Sequence, residues 1–379
     1  LHLTHVTGSI PFLNPTHAAY RATTSTTSHQ SPKTSNPRQS PGIYRLWRAR
    51  DTRKGRHALR IVTAANHSDV DTTKTQRTDP QLQPPPSTKT TPQIQIQIQK
   101  PRRRITPSTL TKPLTDLPTL TALLFLVGSV IWILNAFFVW LPLQDPASEF
   151  AGEEIGGGGW TAFIGAAVFE VGSWGLVLEA VSVLPSGDDR CWGWGVETAI
   201  RENSGEATTL VLQPTTSPCI CRRAGRRGFL GMRLLRQSGK KDNLHELGFL
   251  ASLTQLVGAS IFWIAGFTGL PGIINHMGPA LTDGVYWVPQ VVGGVCFVVS
   301  GGLFTLETQE RWDRPAWTVL GWHIGVWNVV GGVGFTLCGV FGLAGLQYQA
   351  CLATFWGSWA FLWASALQCY ESLEKWPVE

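Results

Sequence analysis

A carboxylate in the middle of an apolar stretch is the sharpest chemical feature of the sequence. Glu170 stands ten residues after Trp160, at a depth where an ionised side chain costs on the order of 3 kcal/mol unless it is paired or protonated. A residue so placed either carries a proton or ion or hydrogen-bonds a neighbouring helix. Glu179, nine residues on, points the opposite way and lies near enough to the end of the stretch to snorkel. Gln255, Gln290, Asn328 and Thr354 each precede a glycine by three residues, on the same helical face. Polar groups at one depth on facing helices serve as interhelical hydrogen bonds of about 0.6 kcal/mol each, or as the lining of a pathway. His323, two turns ahead of Gly331 on a similar face, is a further candidate for this intramembrane polar site; held in a membrane it is expected to be a satisfied donor.

A second set of charges stands where apolar stretches end. Glu307 is followed by Arg311 and Trp312, and Glu371 by Lys375 and Trp376. Each acid and base are four apart in the favourable order, and a tryptophan there sits at headgroup level. These clusters are expected to anchor helix ends at the interface, with an ion or proton site at the mouth as the alternative.

Other chemistry has no residues to carry it. There is no Gly-x-Ser-x-Gly elbow, no HExxH and no phosphate loop, so the expectation is a protein that is not an enzyme and takes no cofactor. Cys219-Ile220-Cys221 lacks the spacing of a structural zinc site, and no metal is expected. The basic N-terminal region has no zinc-ligand spacing and no heptad, so no nucleic-acid partner is expected.

The elements that must position these groups follow from composition. Only 15% of the 379 residues are charged against 43% hydrophobic. Residues 121–143, 247–282, 284–306 and 315–370 contain no Asp, Glu, Lys or Arg, which means a bilayer. Six spans are predicted, near 118–142, 160–184, 247–270, 285–307, 317–340 and 350–371, together an all-α polytopic membrane domain over 116–379. Residues 342–347 supply the turn between the last two. Residues 1–115 hold 18 Lys or Arg against 4 Asp or Glu, among Ser, Thr, Pro and Gln, and read as a disordered tail; the Gln-Ile tract within it is not expected to form a stable strand. The loop 185–246 carries eight Lys or Arg between Arg222 and Lys241, and the tail ends in Arg102, Arg103, Arg104 and Lys112. Positive charge marks the cytoplasmic side, so both termini are expected there, and the basic loop is a candidate contact for anionic lipid or a protein partner.

The spans share a pattern. Gly128, Gly172, Gly258, Gly293, Gly331 and Gly357 are each followed four residues later by Trp132, Leu176, Phe262, Phe297, Phe335 or Phe361. Glycine and large residue lie a turn apart on one face, a packing device for helices in lipid. Glu307 and Glu371 each start a charged exit 14 residues after Gly293 and Gly357. The agreement implies three repeated helical hairpins, spans one with two, three with four and five with six.

On residues 169–173 (Phe-Glu-Val-Gly-Ser), 178–180 (Leu-Glu-Ala), 247–252 (Leu-Gly-Phe-Leu-Ala-Ser) and 321–328, with Gly321-Trp322-His323-Ile324-Gly325 and Trp327-Asn328, the chain from about Leu120 to Trp376 resembles the uncharacterised multi-pass integral membrane proteins of filamentous fungi. The repeated unit also looks like the YrhK-type two-helix membrane module. The resemblance implies six helices and a membrane location, and no catalytic residue. Two functions are expected on these grounds: a small-solute, ion or proton pathway around a midplane site with Glu170, or a structural or scaffolding membrane protein.

Overall fold

Backbone in lipid must satisfy its own hydrogen bonds, and each apolar stretch accordingly closes into a helix. The computed structural model describes residues 2–21, 42–54, 58–62, 95–98, 116–181, 209–212 and 243–373. A short helix α1 (Ala49–Arg53) precedes six long ones: α2 (Leu117–Gln144), α3 (Gly159–Val181), α4 (Leu247–Thr268), α5 (Val288–Glu307), α6 (Leu320–Leu343) and α7 (Gln347–Leu373). All six long helices, α3 and α5 with the helical turns that lead into them, are long and apolar enough to cross a membrane. The chain is an integral membrane protein with six spanning helices among the described residues. Asp116 opens α2 by accepting from the Thr119 hydroxyl at 2.8 Å. Between α6 and α7 Gly345 takes φ 72°, and the Leu346 N–H reaches back to the Phe341 carbonyl at 2.8 Å. This six-to-one closure needs the left-handed residue that glycine supplies.

Each long helix packs on its chain neighbours and α7 closes on α2, so the six form a ring. Its middle is an aromatic layer with one side chain from every helix: Trp132, Phe169, Phe262, Phe297, Phe335 and Phe361, all at most 5% exposed. Edge-to-face contacts run through the layer, among them Trp132 to Phe335 at 4.9 Å, Phe335 to Phe361 at 5.3 Å and Phe169 to Phe361 at 5.6 Å. Each such pair is worth about 0.5–1.5 kcal/mol beyond burial.

The rings fit because the facing helix carries glycine. A Cβ on Gly128 would sit 2.5 Å from the Phe169 ring, and one on Gly165 2.9 Å from Trp132. Gly293 meets Phe262 and Gly258 meets Phe297 in the same way, as Gly331 meets Phe361 and Gly357 meets Phe335. The reciprocal contact thus occurs in all three hairpins. In α3 the register differs from the expected one: Gly165 and Phe169 play this part, while a Cβ on Gly172 would sit 3.2 Å from the Phe125 ring and Leu176 belongs a layer lower. Seven residues are nearly two full turns, so Gly165 and Gly172 share a face and the pattern alone does not separate them.

Within residues 1–115, expected to be a solvated tail, the described residues depart from that expectation. Strands β1 (His2–Thr7), β2 (His17–Arg21), β3 (Gly42–Arg48) and β4 (Ala58–Val62) form an antiparallel sheet in that order, and β3 runs directly into α1. The Gln-Ile tract is also paired: β5 (Gln95–Ile98) lies parallel to β6 (Thr209–Leu212). Its partner comes from the loop 185–246, more than a hundred residues on, which a local pattern cannot disclose. The basic residues from Arg222 to Lys241 lie outside the described residues, as do Lys375 and Trp376.

Candidate functional site

The axis of the ring is divided by the aromatic layer. On one side a cavity of about 290 Å³ has Trp132, Phe262 and Phe335 as its floor and Asn135, Glu154, Tyr286, Gln290, Gln347 and Thr354 among its walls. The Asn135 amide donates to the Gly158 carbonyl at 2.6 Å and to the Thr161 hydroxyl at 3.1 Å, and the Cys338 thiol to the Gln290 amide oxygen at 3.3 Å. Cys351 also lines this space. Within the layer, among Trp132, Ala166, Phe169, Phe262, Phe297 and Phe335, no room is left for water. On the other side a chamber of about 30 Å³ is walled by Gln255, Ser300, Asn328 and Gln368.

That chamber ends at three cations. Arg50 donates from Nε and Nη2 to the two oxygens of Glu371 at 2.9 and 2.8 Å. Arg53 donates from Nη1 and Nη2 to Glu307 at 2.5 and 2.7 Å, and its guanidinium lies 5.5 Å from the centre of the Phe304 ring. Lys54 Nζ lies 2.9 Å from Glu179 Oε1 and donates to Oε2 at 3.2 Å. All six side chains are buried. Gly248 and Gly321, at the starts of α4 and α6, make the space: a Cβ on either would run into the guanidinium of Arg53 or Arg50. Burial by itself would lower the pKa of both arginines, but the carboxylate of Glu371 beside Arg50, and of Glu307 beside Arg53, outweighs it and holds each above the ordinary value.

The three acids hold equivalent places. With Gly165 as the marker of α3, Glu179 stands 14 residues after its glycine, as do Glu307 after Gly293 and Glu371 after Gly357. Each hairpin therefore offers one carboxylate to the same end of the axis. Sequence reasoning missed the cations that meet them, because a basic segment reads as solvated. The signal was present in Arg50, Arg53 and Lys54: positions i, i+3 and i+4 share one helical face.

The other expected site residues are dispersed. Gln290 and Thr354 line the large cavity, Gln255 and Asn328 the small chamber. They are not at one depth, because successive helices are antiparallel and three residues before the glycine means opposite directions along the axis. Glu170 lies outside both spaces, on the seam of α3 and α4, where its Oε1 accepts from the Trp174 indole at 3.1 Å and the Ser260 hydroxyl at 3.0 Å. Among the described residues its Oε2 has no hydrogen-bond partner, and Val171 and Trp174 beside it are exposed to the lipid side. Asn328 donates to the Ile324 carbonyl at 2.8 Å. The His323 Nε2 lies 2.8 Å from the Trp317 carbonyl, off the axis.

Glu307 does not pair with Arg311. Helix α5 stops at Glu307, so the four-residue spacing loses its helical geometry, and Arg311 instead donates to Asp313 at 2.9 and 3.0 Å. Trp312 is 72% exposed. Among the described residues no cluster of three His, Cys, Asp or Glu side chains is placed to hold a metal ion. Comparison of the chain with protein-family models, with curated proteins and with solved structures finds no match.

Proposed function

We propose that the ring of six helices is a small-solute pathway across the membrane, held in a state open to one side and closed to the other. The observation that carries this is the axial cavity of about 290 Å³, walled by amides, hydroxyls, the Glu154 carboxylate and aromatic faces and continued below the aromatic layer by a second polar chamber. Its walls carry many neutral hydrogen-bonding groups beside the carboxylate of Glu154, which suits an uncharged polar solute whose hydroxyls can donate to them. Glu170 stands outside this route, which moves the site from the carboxylate to Asn135, Gln290 and Thr354. The alternation of positive charge supports a cytoplasmic position for the end that carries Glu179, Glu307 and Glu371, since Arg102 to Arg104, the basic loop, Arg311 and Arg314 all belong to connections at that end. The open cavity then faces away from the cytoplasm. The reciprocal glycine and aromatic contacts, with the common glutamate register, support three copies of one hairpin.

A scaffolding role is the second reading, and the observation in its favour is the absence of room within the aromatic layer. Anionic lipid bound by the basic loop fits either. Two native thiols separate them, because Cys338 and Cys351 line the cavity whereas Cys296 and Cys369 do not. A small membrane-impermeant methanethiosulfonate is expected to modify Cys351 and Cys338 in reconstituted protein, and saturating glycerol to slow that reaction. Protection of both thiols from the reagent would leave a sealed bundle and the scaffolding role.

A further inference from the structure

The closure at the glutamate end is built differently from the rest of the molecule. Inside the ring, helices meet through glycine and aromatic surface. The short helix α1 meets the ring through bidentate ion pairs: Arg50 with Glu371 and Arg53 with Glu307, and with Lys54 on Glu179 as the third. Each cation takes the carboxylate of a different hairpin, and together they roof the small chamber. The segment belongs to the sheet outside the spans, whose β3 leads into α1. Near the rim a backbone bond from the Asn14 N–H to the His245 carbonyl, 2.8 Å, joins the sheet to the approach to α4. A roof joined by charge can lift into water and have its groups hydrated there, whereas an apolar one would expose its surface. The cations and carboxylates also match in number, so the closed state leaves no net charge among these six groups at the mouth.

We propose that residues 49–54 are a tethered stopper for the pathway, and that the ring of Glu179, Glu307 and Glu371 is its receptor. While the three cations are seated the small chamber is cut off from the water at that end; when the sheet swings away with α1, the chamber opens and the three carboxylates face solvent. This assignment rests on the pathway reading, because it regulates the same axis.

The test uses the full chain with a reporter behind the stopper. Ser300 is fully buried, lines the chamber and donates to the Ala251 carbonyl at 2.8 Å; Ser300→Cys is close to isosteric. A second pair, Asn14→Cys with His245→Cys, stands where two backbones are hydrogen-bonded, a separation a disulfide spans, and ties the sheet to the bundle without touching the ion pairs. Modification of the thiol introduced by Ser300→Cys, by a cationic methanethiosulfonate, is followed by the mass of its peptide in detergent, where both ends are accessible. The reduced chain is expected to be modified at least about tenfold faster than the oxidised one, a difference of about 1.4 kcal/mol in the cost of opening. Adding Glu307→Gln to the reduced chain is expected to speed modification further. Equal rates in the reduced and oxidised chains would overturn the stopper. Glycerol permeability of liposomes holding the same proteins separates the two claims: modification that responds to the disulfide while no form passes glycerol keeps the stopper and removes the pathway.

Discussion

Replacing Glu307 by Gln leaves Arg53 buried beside an amide. The side chains concerned are 5% and 0% exposed and joined by two hydrogen bonds, so solvent screening hardly softens the loss. Removing one partner of such a pair costs about 3–5 kcal/mol. The neighbouring Glu179, 3.7 Å from Arg53 Nε, compensates in part but is already engaged by Lys54, so the lower end of that range applies. A cost of about 3 kcal/mol raises the population of the lifted segment by roughly a hundredfold. Trypsin reads that population, because its targets Arg50, Arg53 and Lys54 are all at most 8% exposed in the seated state; when closing is faster than cleavage, the rate follows the open fraction. Cleavage after Lys54, followed by mass spectrometry, is expected to be about a hundred times faster in Glu307→Gln than in the unmodified chain. Arg53→Gln with Glu307→Gln should recover about 2 kcal/mol of the loss through coupling of the pair. A cleavage rate within twofold of the unmodified chain, or a double variant whose loss equals the sum of the singles, would refute the pair as the bond that seats the segment.

Three further outcomes follow from the same geometry. Gly293→Ala places a methyl 2.8 Å from the Gly258 carbonyl oxygen and Gly302→Ala meets nothing within 4 Å, so thermal unfolding in detergent should show a loss of about 1–3 kcal/mol for the first and none for the second. Glu170→Gln should leave glycerol permeability unchanged, since among the described residues the carboxylate accepts from Trp174 and Ser260 on the outer seam; a large drop in flux would return Glu170 to the pathway. The guanidiniums of Arg50 and Arg53 are held above their ordinary pKa by Glu371 and Glu307, so the stability they contribute is complete below that value and is lost only as pH rises through the raised one; tryptic protection of Arg50 and Arg53 should therefore not decline between neutral pH and about pH 10.

The spans were the legible part of the sequence because the bilayer imposes a composition over some twenty residues at a time. The turn at Gly345 is equally local and equally readable, as is the recurrence of glycine and large residue a turn apart along each helix, although in α3 the recurrence does not tell Gly165 from Gly172. Relations between distant segments are not. Glu371 and Arg50 lie 321 residues apart, and nothing in the neighbourhood of either names the other, so Glu307 and Glu371 are most simply matched to the nearest bases. That match fails where α5 ends and Arg311 turns to Asp313. Gln255, Gln290, Asn328 and Thr354 show the complementary limit: periodicity gives a face, and antiparallel packing then sends residues of one register to opposite sides of the aromatic layer. Glu170 drew attention through its cost in lipid, yet its partners are a local tryptophan and a serine on the next helix.

The most direct test of an axial pathway is the rate at which liposomes holding the chain reswell with glycerol after osmotic shrinkage, compared between the unmodified protein and Phe335→Ala. Phe335 is 1% exposed, forms part of the cavity floor and touches Trp132, Phe262 and Phe361, so its removal opens the layer at a cost of about 3–5 kcal/mol in stability. The account predicts faster reswelling with Phe335→Ala than with the unmodified chain, and slowing of both by the disulfide between positions 14 and 245. Reswelling at the rate of protein-free liposomes in both proteins, with each still folded, would contradict it.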